Sequence, residues 1–133
     1  MKVYLDSVMI IYYLDHVGNL QARAARRLAE LKVAADTIVV SDLVRLECRV
    51  DPIRKRDNVR LARFDGFFAH PDVQTTSLTA VVCDRAAQIR AETGYKTIDA
   101  LHLAAAVESG CHVFLTNDVR LSSFPDLDVE ILA

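Results

Sequence analysis

The stretch TIDALHLAAA, which runs from Thr97 to Ala106, predicts a helix that the rest of the fold must bury. After Asp99 it contains only alanine, leucine and one histidine, so as a helix it is apolar on nearly every side and should be buried. The carboxylate at its start has an ordinary explanation, because Thr97 is a suitable N-cap and an acid in the first turn suits the positive end of the helix dipole. That explanation weakens if the fold brings other acids to the same place.

Short apolar or β-branched segments alternate with helical patterns on both sides of this stretch. The predicted strands are, in chain order, KVYLD, TIVVS, VQTTS, HVFLT and VEIL. The predicted helices include SVMIIYYLDH capped by Ser7, DLVRLECRV capped by Ser41 and ended by Pro52, and a long helix from Ile53 to Phe68. Because strands alternate with helices throughout, we expect a parallel sheet covered on both faces, a three-layer α/β/α sandwich.

The composition fits one domain spanning residues 1–133, with 52% hydrophobic residues to form its core. The net charge of -2 provides no overall basic field of the kind that attracts nucleic acid. The three cysteines are scattered, as in reduced cytoplasmic proteins. No uncharged apolar run approaches the ~18 residues of a membrane span, and Asp6 and Asp15 bracket the short apolar segment near the N-terminus. We therefore expect a cytoplasmic protein with no membrane partner.

Four carboxylates fall at positions that a parallel sheet would bring to one edge. Asp6 ends the first predicted strand, Asp118 follows the fourth, Glu47 lies about two turns into the helix after the second, and Asp99 lies in the first turn of its helix. Clustered carboxylates repel one another unless a cation lies among them, and oxygen ligands suit Mg²⁺ or Mn²⁺. Such ions activate water and neutralise charge on a phosphodiester, so this pattern predicts metal-dependent nuclease chemistry.

Four segments, YLDSVMIIYYLD, SDLVRLE, TIDALHLAAA and FLTNDVRL, resemble in that order the PIN-domain ribonucleases, and the VapC-type toxins of toxin–antitoxin systems in particular. The resemblance covers nearly the whole chain. It implies a sheet in the order 3-2-1-4-5, cleavage of RNA with Mg²⁺ or Mn²⁺, inhibition by a VapB-type antitoxin, and homodimers. It also implies which residues form the site: the acids Asp6, Glu47, Asp99 and Asp118, supported by Ser7, Thr116 and Asn117.

The chain departs from this family at two places near the acids. Many relatives have serine or asparagine where this chain has Val8, and some have a second acid after the last one, where this chain has Val119 and Arg120. Neither departure removes one of the four acids.

The histidines leave two interpretations open. His102 lies one turn after Asp99 on the same helix face, where it is either a metal ligand or a hydrogen-bonded core residue. Hard cations prefer oxygen, which favours the core residue. His16, His70 and His112 show no ligand spacing.

The most basic stretch is DPIRKRDNVRLARF, which begins at Asp51. On the predicted long helix, Arg56, Arg60 and Arg63 would form one side. They are either a solvated helix flank or a patch that contacts RNA phosphates or the antitoxin.

Two further functions remain open at this point. A PIN fold could act only as a binding module without useful turnover, and a metal–carboxylate site could cleave DNA instead of RNA.

Overall fold

The computed structural model describes residues 1–15 and 18–132, so His16, Val17 and Ala133 lie outside the described residues. The prediction that His16 is not a metal ligand, and the end of the helix predicted from Ser7 to His16, therefore concern a residue outside the described part of the chain.

One parallel sheet has the strand order β3-β2-β1-β4-β5, which confirms the order that the resemblance implies. Each strand pairs with its neighbours in parallel register; for example, Leu5 lies opposite Leu115. The strands are β1 Lys2–Leu5, β2 Thr37–Ser41, β3 Val73–Thr76, β4 Val113–Thr116 and β5 Asp128–Ile131.

Helices connect and cover these strands, as expected for the predicted α/β/α sandwich. Helix α1 packs against α2 and α3, α3 packs against α4, and α5 packs against α6. The helices are α1 Ser7–Leu14, α2 Gly18–Val33, α3 Asp42–Arg54, α4 Asn58–Ala69, α5 Ala80–Thr93 and α6 Thr97–Glu108, and a 3₁₀ turn covers Val119–Leu121. Among the described residues, no helix combines the length and the apolar character that crossing a bilayer requires.

The stretch that begins at Thr97 forms α6, and it is buried as its composition predicts. Leu103 and the three alanines 104–106 have no exposed surface. The central strands β1 and β4 supply equally buried side chains, including Leu5 and Phe114. This burial fixes α6 against the sheet, so the first turn of α6 has a defined position relative to the ends of the strands.

The starts of three helices differ from the sequence prediction. Asp6, not Ser7, caps α1, because its Oδ1 accepts a hydrogen bond of 2.7 Å from the Ser7 amide. Ser41 precedes α3 but its side chain caps no amide, and Lys96, not Thr97, precedes α6. In α1 and α3 the serine hydroxyls bond elsewhere, with consequences for the site described below.

The predicted long helix from Ile53 to Phe68 is wrong. Helix α3 continues through Pro52 to Arg54, and α4 begins only at Asn58. Proline removes one amide donor from the helix but does not stop later residues from donating, as the Lys55 amide does. The break comes at Arg56, whose φ of 53° is left-handed, so Arg56 lies in a turn and does not share a helix side with the later arginines.

Candidate active site

Asp6 is fixed at the carboxyl edge of the sheet by contacts from β4 and from the first residue of α1. Its amide donates to the Leu115 carbonyl at 3.0 Å, which continues the β1–β4 pairing beyond the end of β1. Its carboxylate accepts from the Ser7 amide and, through Oδ2, from the Thr116 hydroxyl at 2.7 Å. Thr116 thus lies beside Asp6, where the sequence places a supporting hydroxyl.

Glu47 reaches the same edge from α3. Its Oε1 accepts a hydrogen bond of 2.6 Å from the Ser7 hydroxyl and lies 2.5 Å from His102 Nε2. Burial opposes the charged carboxylate, but the hydrogen bonds with His102 and Ser7 and the charge of His102 leave the pKa of Glu47 below its usual value. Glu47 is therefore held as a charged group at neutral pH.

Three side chains come close enough to share one metal ion. Asp6, Glu47 and His102 each offer a ligand atom, and these atoms lie within 4.8 Å of one another. His102 Nε2 is 3.8 Å from Asp6 Oδ1. The structure thus brings two of the four predicted acids together, with the histidine between them.

The far side of the His102 ring contacts a buried polar pair that the sequence analysis missed. His102 Nδ1 lies 2.8 Å from the Tyr4 hydroxyl, which lies 2.8 Å from the Ser41 hydroxyl. Burial raises the pKa of Tyr4 well above its usual value, so its hydroxyl stays protonated. The sequence predicts that Tyr4 and Ser41 lie on neighbouring strands. Nothing in the sequence near either residue indicates that their hydroxyls contact each other or His102.

Asp99 and Asp118 form a second pair, bridged by Arg120. The Arg120 guanidinium donates to Asp118 through Nε at 3.0 Å and Nη2 at 2.5 Å, and Nη2 lies 3.6 Å from Asp99 Oδ2. The Arg120 amide also donates to Asp118 Oδ1, which caps the 3₁₀ turn. The departure from the family pattern at Arg120 therefore places a cation on two of the four acids.

The pKa values of the two carboxylates in this pair shift in opposite directions. Hydrogen bonds from Arg120 lower the pKa of Asp118. Burial raises the pKa of Asp99, and the charges of Asp118 and Asp6 add to this effect although Arg120 opposes it. Asp6 and Asp118 therefore both act electrostatically on Asp99.

The remaining predicted residues lie in different surroundings. The Asn117 amide donates to the Tyr12 hydroxyl at 2.5 Å instead of contacting an acid. Arg60 forms ion pairs with Asp15 at 2.9 Å and Asp51 at 3.0 Å, and these contacts raise its pKa. The Arg63 guanidinium donates to the Leu14 carbonyl at 3.1 Å.

These contacts of Arg60 and Arg63 attach α4 to the end of α1. In this arrangement their guanidinium groups already have partners within the chain, whereas Arg56 stands apart in the turn before α4. A role for these arginines toward RNA or an antitoxin stays a prediction.

Comparison with known proteins shows the family to which the chain belongs. The PIN domain sequence profile matches residues 3–127, and the chain belongs to the PIN domain family. No curated protein sequence matches the chain significantly.

Solved structures with the same fold come from toxin–antitoxin systems. VapBC2 from Rickettsia felis, bound to a DNA fragment from its promoter, has a TM-score of 0.82 at 17% identity, with 100% of both chains covered. DNA-bound VapBC from Salmonella typhimurium has a TM-score of 0.79 at 18% identity, covering 100% of this chain and 99% of that one. Mycobacterium tuberculosis VapC20, described as a Sarcin-Ricin loop cleaving toxin, has a TM-score of 0.72 at 15% identity, covering 94% and 98%.

Proposed function

We propose that this protein is a divalent-metal-dependent endoribonuclease and the toxin of a type II toxin–antitoxin pair. The observation that carries the proposal is the convergence of Asp6, Glu47 and His102 within 4.8 Å at the carboxyl edge of a PIN-domain sheet, beside Asp99 and Asp118. Sites in parallel α/β folds form at this edge.

The donor set fits Mg²⁺ or Mn²⁺. Asp6 and Glu47 would hold the ion, with Asp99 and Asp118 completing an oxygen-rich surrounding that hard cations prefer. The ion would supply activation of water and neutralisation of charge on the phosphodiester. The carboxylates are already oriented by hydrogen bonds from Ser7 and Thr116, which reduces the reorganisation that binding requires.

RNA cleavage tests this proposal directly. Purified protein should cleave single-stranded or looped RNA with Mn²⁺ or Mg²⁺, and EDTA should abolish the cleavage. A parallel reaction on single-stranded DNA of the same sequence distinguishes a DNA nuclease. If the protein binds RNA but leaves it intact under all metal conditions, it is a binding module and the proposal is wrong.

A VapB-type antitoxin is the proposed partner. Support comes from the similar chains solved in VapBC complexes and from an open apolar groove of about 730 Å³ between α2, α4 and the starts of β2 and β3. Leu28, Ile38, Phe67 and Val73 line this groove, which suits the apolar face of a partner helix. Co-expression of the product of the adjacent gene should yield a complex and suppress toxicity, and failure of both would contradict the proposed pairing.

A homodimer is proposed on an exposed face of α3. Leu46, Val50 and Ile53 follow one another at helical spacing and are 59%, 42% and 53% exposed. Exposed apolar side chains grouped on one helix face support an interaction surface there. Sedimentation of the wild type and of L46D should show a dimer that the substitution weakens, and a monomeric wild type would contradict it.

A further inference from the structure

A buried series of hydrogen bonds reaches the Glu47 carboxylate from inside the protein. It begins at Ser41, passes through the Tyr4 hydroxyl to His102 Nδ1, and continues from His102 Nε2 to Glu47 Oε1. Tyr4 and Ser41 have no exposed surface, and His102 is 3% exposed. The Tyr4 ring is itself held by stacking on Phe114, with the ring centroids 5.2 Å apart. The histidine is therefore fixed on both sides.

The two oxygens of Glu47 have different surroundings. Both hydrogen bonds recorded for this carboxylate, from Ser7 and with His102, go to Oε1. Oε2 takes part in neither, so it is the oxygen left to bind an ion. A glutamate side chain has three rotatable bonds and loses much conformational freedom when it is ordered. Fixing Oε1 in advance removes part of that loss from the binding step.

The same contact decides between the two interpretations of His102. A charged carboxylate can only accept hydrogen bonds, so at 2.5 Å from Glu47 Oε1 the Nε2 atom of His102 carries the proton. A protonated nitrogen has no lone pair for a metal ion. His102 thus acts through Glu47 in this arrangement and is not itself a ligand.

We propose that His102 is a positioning residue for the proposed nuclease, holding Glu47 Oε1 so that Oε2 is presented to the divalent ion. Tyr4 and Ser41 hold the imidazole ring in the orientation that makes this contact. The inference rests on the proposed function, because it concerns how the same site binds its ion.

Two substitutions of His102 separate donation to Glu47 from filling of space. In H102Q the side-chain amide nitrogen can reach the position of Nε2, whereas in H102N the amide is too short and remains near the position of Nδ1. We expect H102N to weaken Mn²⁺ binding by about 10–100-fold, which is the usual cost of losing a residue that orients a metal ligand. H102Q should restore binding to within a few-fold of the wild type. Electron paramagnetic resonance of free Mn²⁺ measures both affinities without using activity.

The metal-free protein provides a second readout. In EDTA, ¹⁵N-labelled wild type should show a downfield imidazole N–H signal from the His102–Glu47 hydrogen bond. E47Q should move this signal upfield, because a neutral amide oxygen is a weaker acceptor than a carboxylate. Y4F, which keeps the ring and removes the hydroxyl, should retain the signal and weaken Mn²⁺ binding less than H102N does.

The outcomes separate this inference from the proposed function. A wild type that neither binds Mn²⁺ nor cleaves RNA contradicts the proposed function, and with it the role of His102 toward an ion. A wild type that does both, with H102N unchanged or with H102Q as weak as H102N, overturns the positioning role alone. If H102N does not fold, H102Q and Y4F decide, because Mn²⁺ binding weakened by about 10-fold or more in H102Q, or unchanged in Y4F, contradicts the inference.

Discussion

The four acids form two pairs that differ in the nitrogen-bearing side chain that each pair faces. The carboxylates themselves are similarly accessible, with side chains between 20% and 31% exposed. In the inner pair, Asp6 and Glu47 face His102, which is 3% exposed and fixed by Tyr4. In the outer pair, Asp99 and Asp118 face Arg120, which is 60% exposed.

This difference indicates that His102 fixes the position of the inner carboxylates, whereas Arg120 only balances the charge of the outer ones. His102 cannot leave its place without breaking buried hydrogen bonds, whose loss costs free energy because the groups left behind are unsatisfied. Arg120 can swing into solvent, and ion pairs of exposed side chains contribute little to stability. We therefore expect the inner pair to define where the ion binds. The outer carboxylates should be able to bind the ion only when the Arg120 side chain moves away from them.

Replacement of one acid from each pair should have the largest effect. E47Q and D99N each remove a proposed ligand, so RNA cleavage should fall by at least about 100-fold, more than the loss of an orienting residue costs. Single-turnover cleavage at saturating Mn²⁺ measures this. D84N, which alters an exposed acid of α5, is the matched control and should cleave at the parent rate. If D99N also cleaves at the parent rate, Asp99 serves only the helix N-terminus and the outer pair has no role in cleavage.

The stabilisation produced by Mn²⁺ should shrink in the same variants. An ion that binds only the folded state stabilises it by about 2.7 kcal/mol at 100 times its Kd, and weaker binding reduces this gain. Thermal melts with EDTA and with Mn²⁺ give the gain for each protein. We expect E47Q to lose most of it and D99N to lose a smaller part, because the inner pair is already preorganised. An equal loss in both variants would remove the distinction between the pairs.

Removal of Arg120 should have a moderate effect of the opposite sign. In R120A the outer carboxylates lose their cation, so their repulsion increases in the metal-free protein and Mn²⁺ should bind several-fold more tightly. R85A removes an ion pair with Glu108 and serves as the control, with unchanged affinity expected. Titration of Mn²⁺ against cleavage rate measures the change. If R120A instead lowers the maximal rate at unchanged Mn²⁺ affinity, Arg120 acts on the substrate.

The pH dependence of stability in EDTA should show the smallest effect, with opposite signs for the two pairs. The lowered pKa of Glu47 stabilises the fold above the unfolded value of about 4.3, and this contribution is lost as the pH falls through the folded pKa. The raised pKa of Asp99 costs stability as the pH rises above about 3.9, and this cost is absent in acid.

Two variants isolate these contributions. At pH 7 the metal-free E47Q protein should be less stable than the wild type, and D99N should be equally or more stable. Both differences should fade as the pH falls below the folded pKa of Glu47 and the unfolded pKa of Asp99, where each carboxyl is protonated in the folded and the unfolded chain. Urea unfolding across this range measures them, and a stabilised E47Q protein would contradict the assignment.

The sequence predicted the position of the acids at the sheet edge better than the hydrogen bonds between the site residues. Asp6 and Asp118 directly follow strands, so strand prediction alone places both at the sheet edge. The hydrogen bond between Tyr4 and His102 joins residues 98 positions apart, and no local pattern reports such a contact. The same limit explains the capping errors, because Ser7 and Ser41 are good N-caps by type but their hydroxyls bond to distant side chains.

The helix prediction over residues 53–68 failed for a different reason. Proline and apolar spacing suggested a boundary at Pro52, whereas the chain turns four residues later at the left-handed Arg56. Backbone conformation of this kind has no strong signature outside glycine and asparagine. The arginine patch was consequently assigned to one helix side that the fold divides.

The central position of β1 has a consequence for how the protein is made. β1 is synthesised before the other four strands, but one of its two partners, β4, is the fourth strand in chain order, and the hydrogen bond from Thr116 to Asp6 spans 110 positions. A growing chain therefore cannot assemble the four acids until β4 and Asp118 have left the ribosome. A copy that terminates before β4 lacks Thr116 and Asp118, so we expect that it cannot form the proposed metal site.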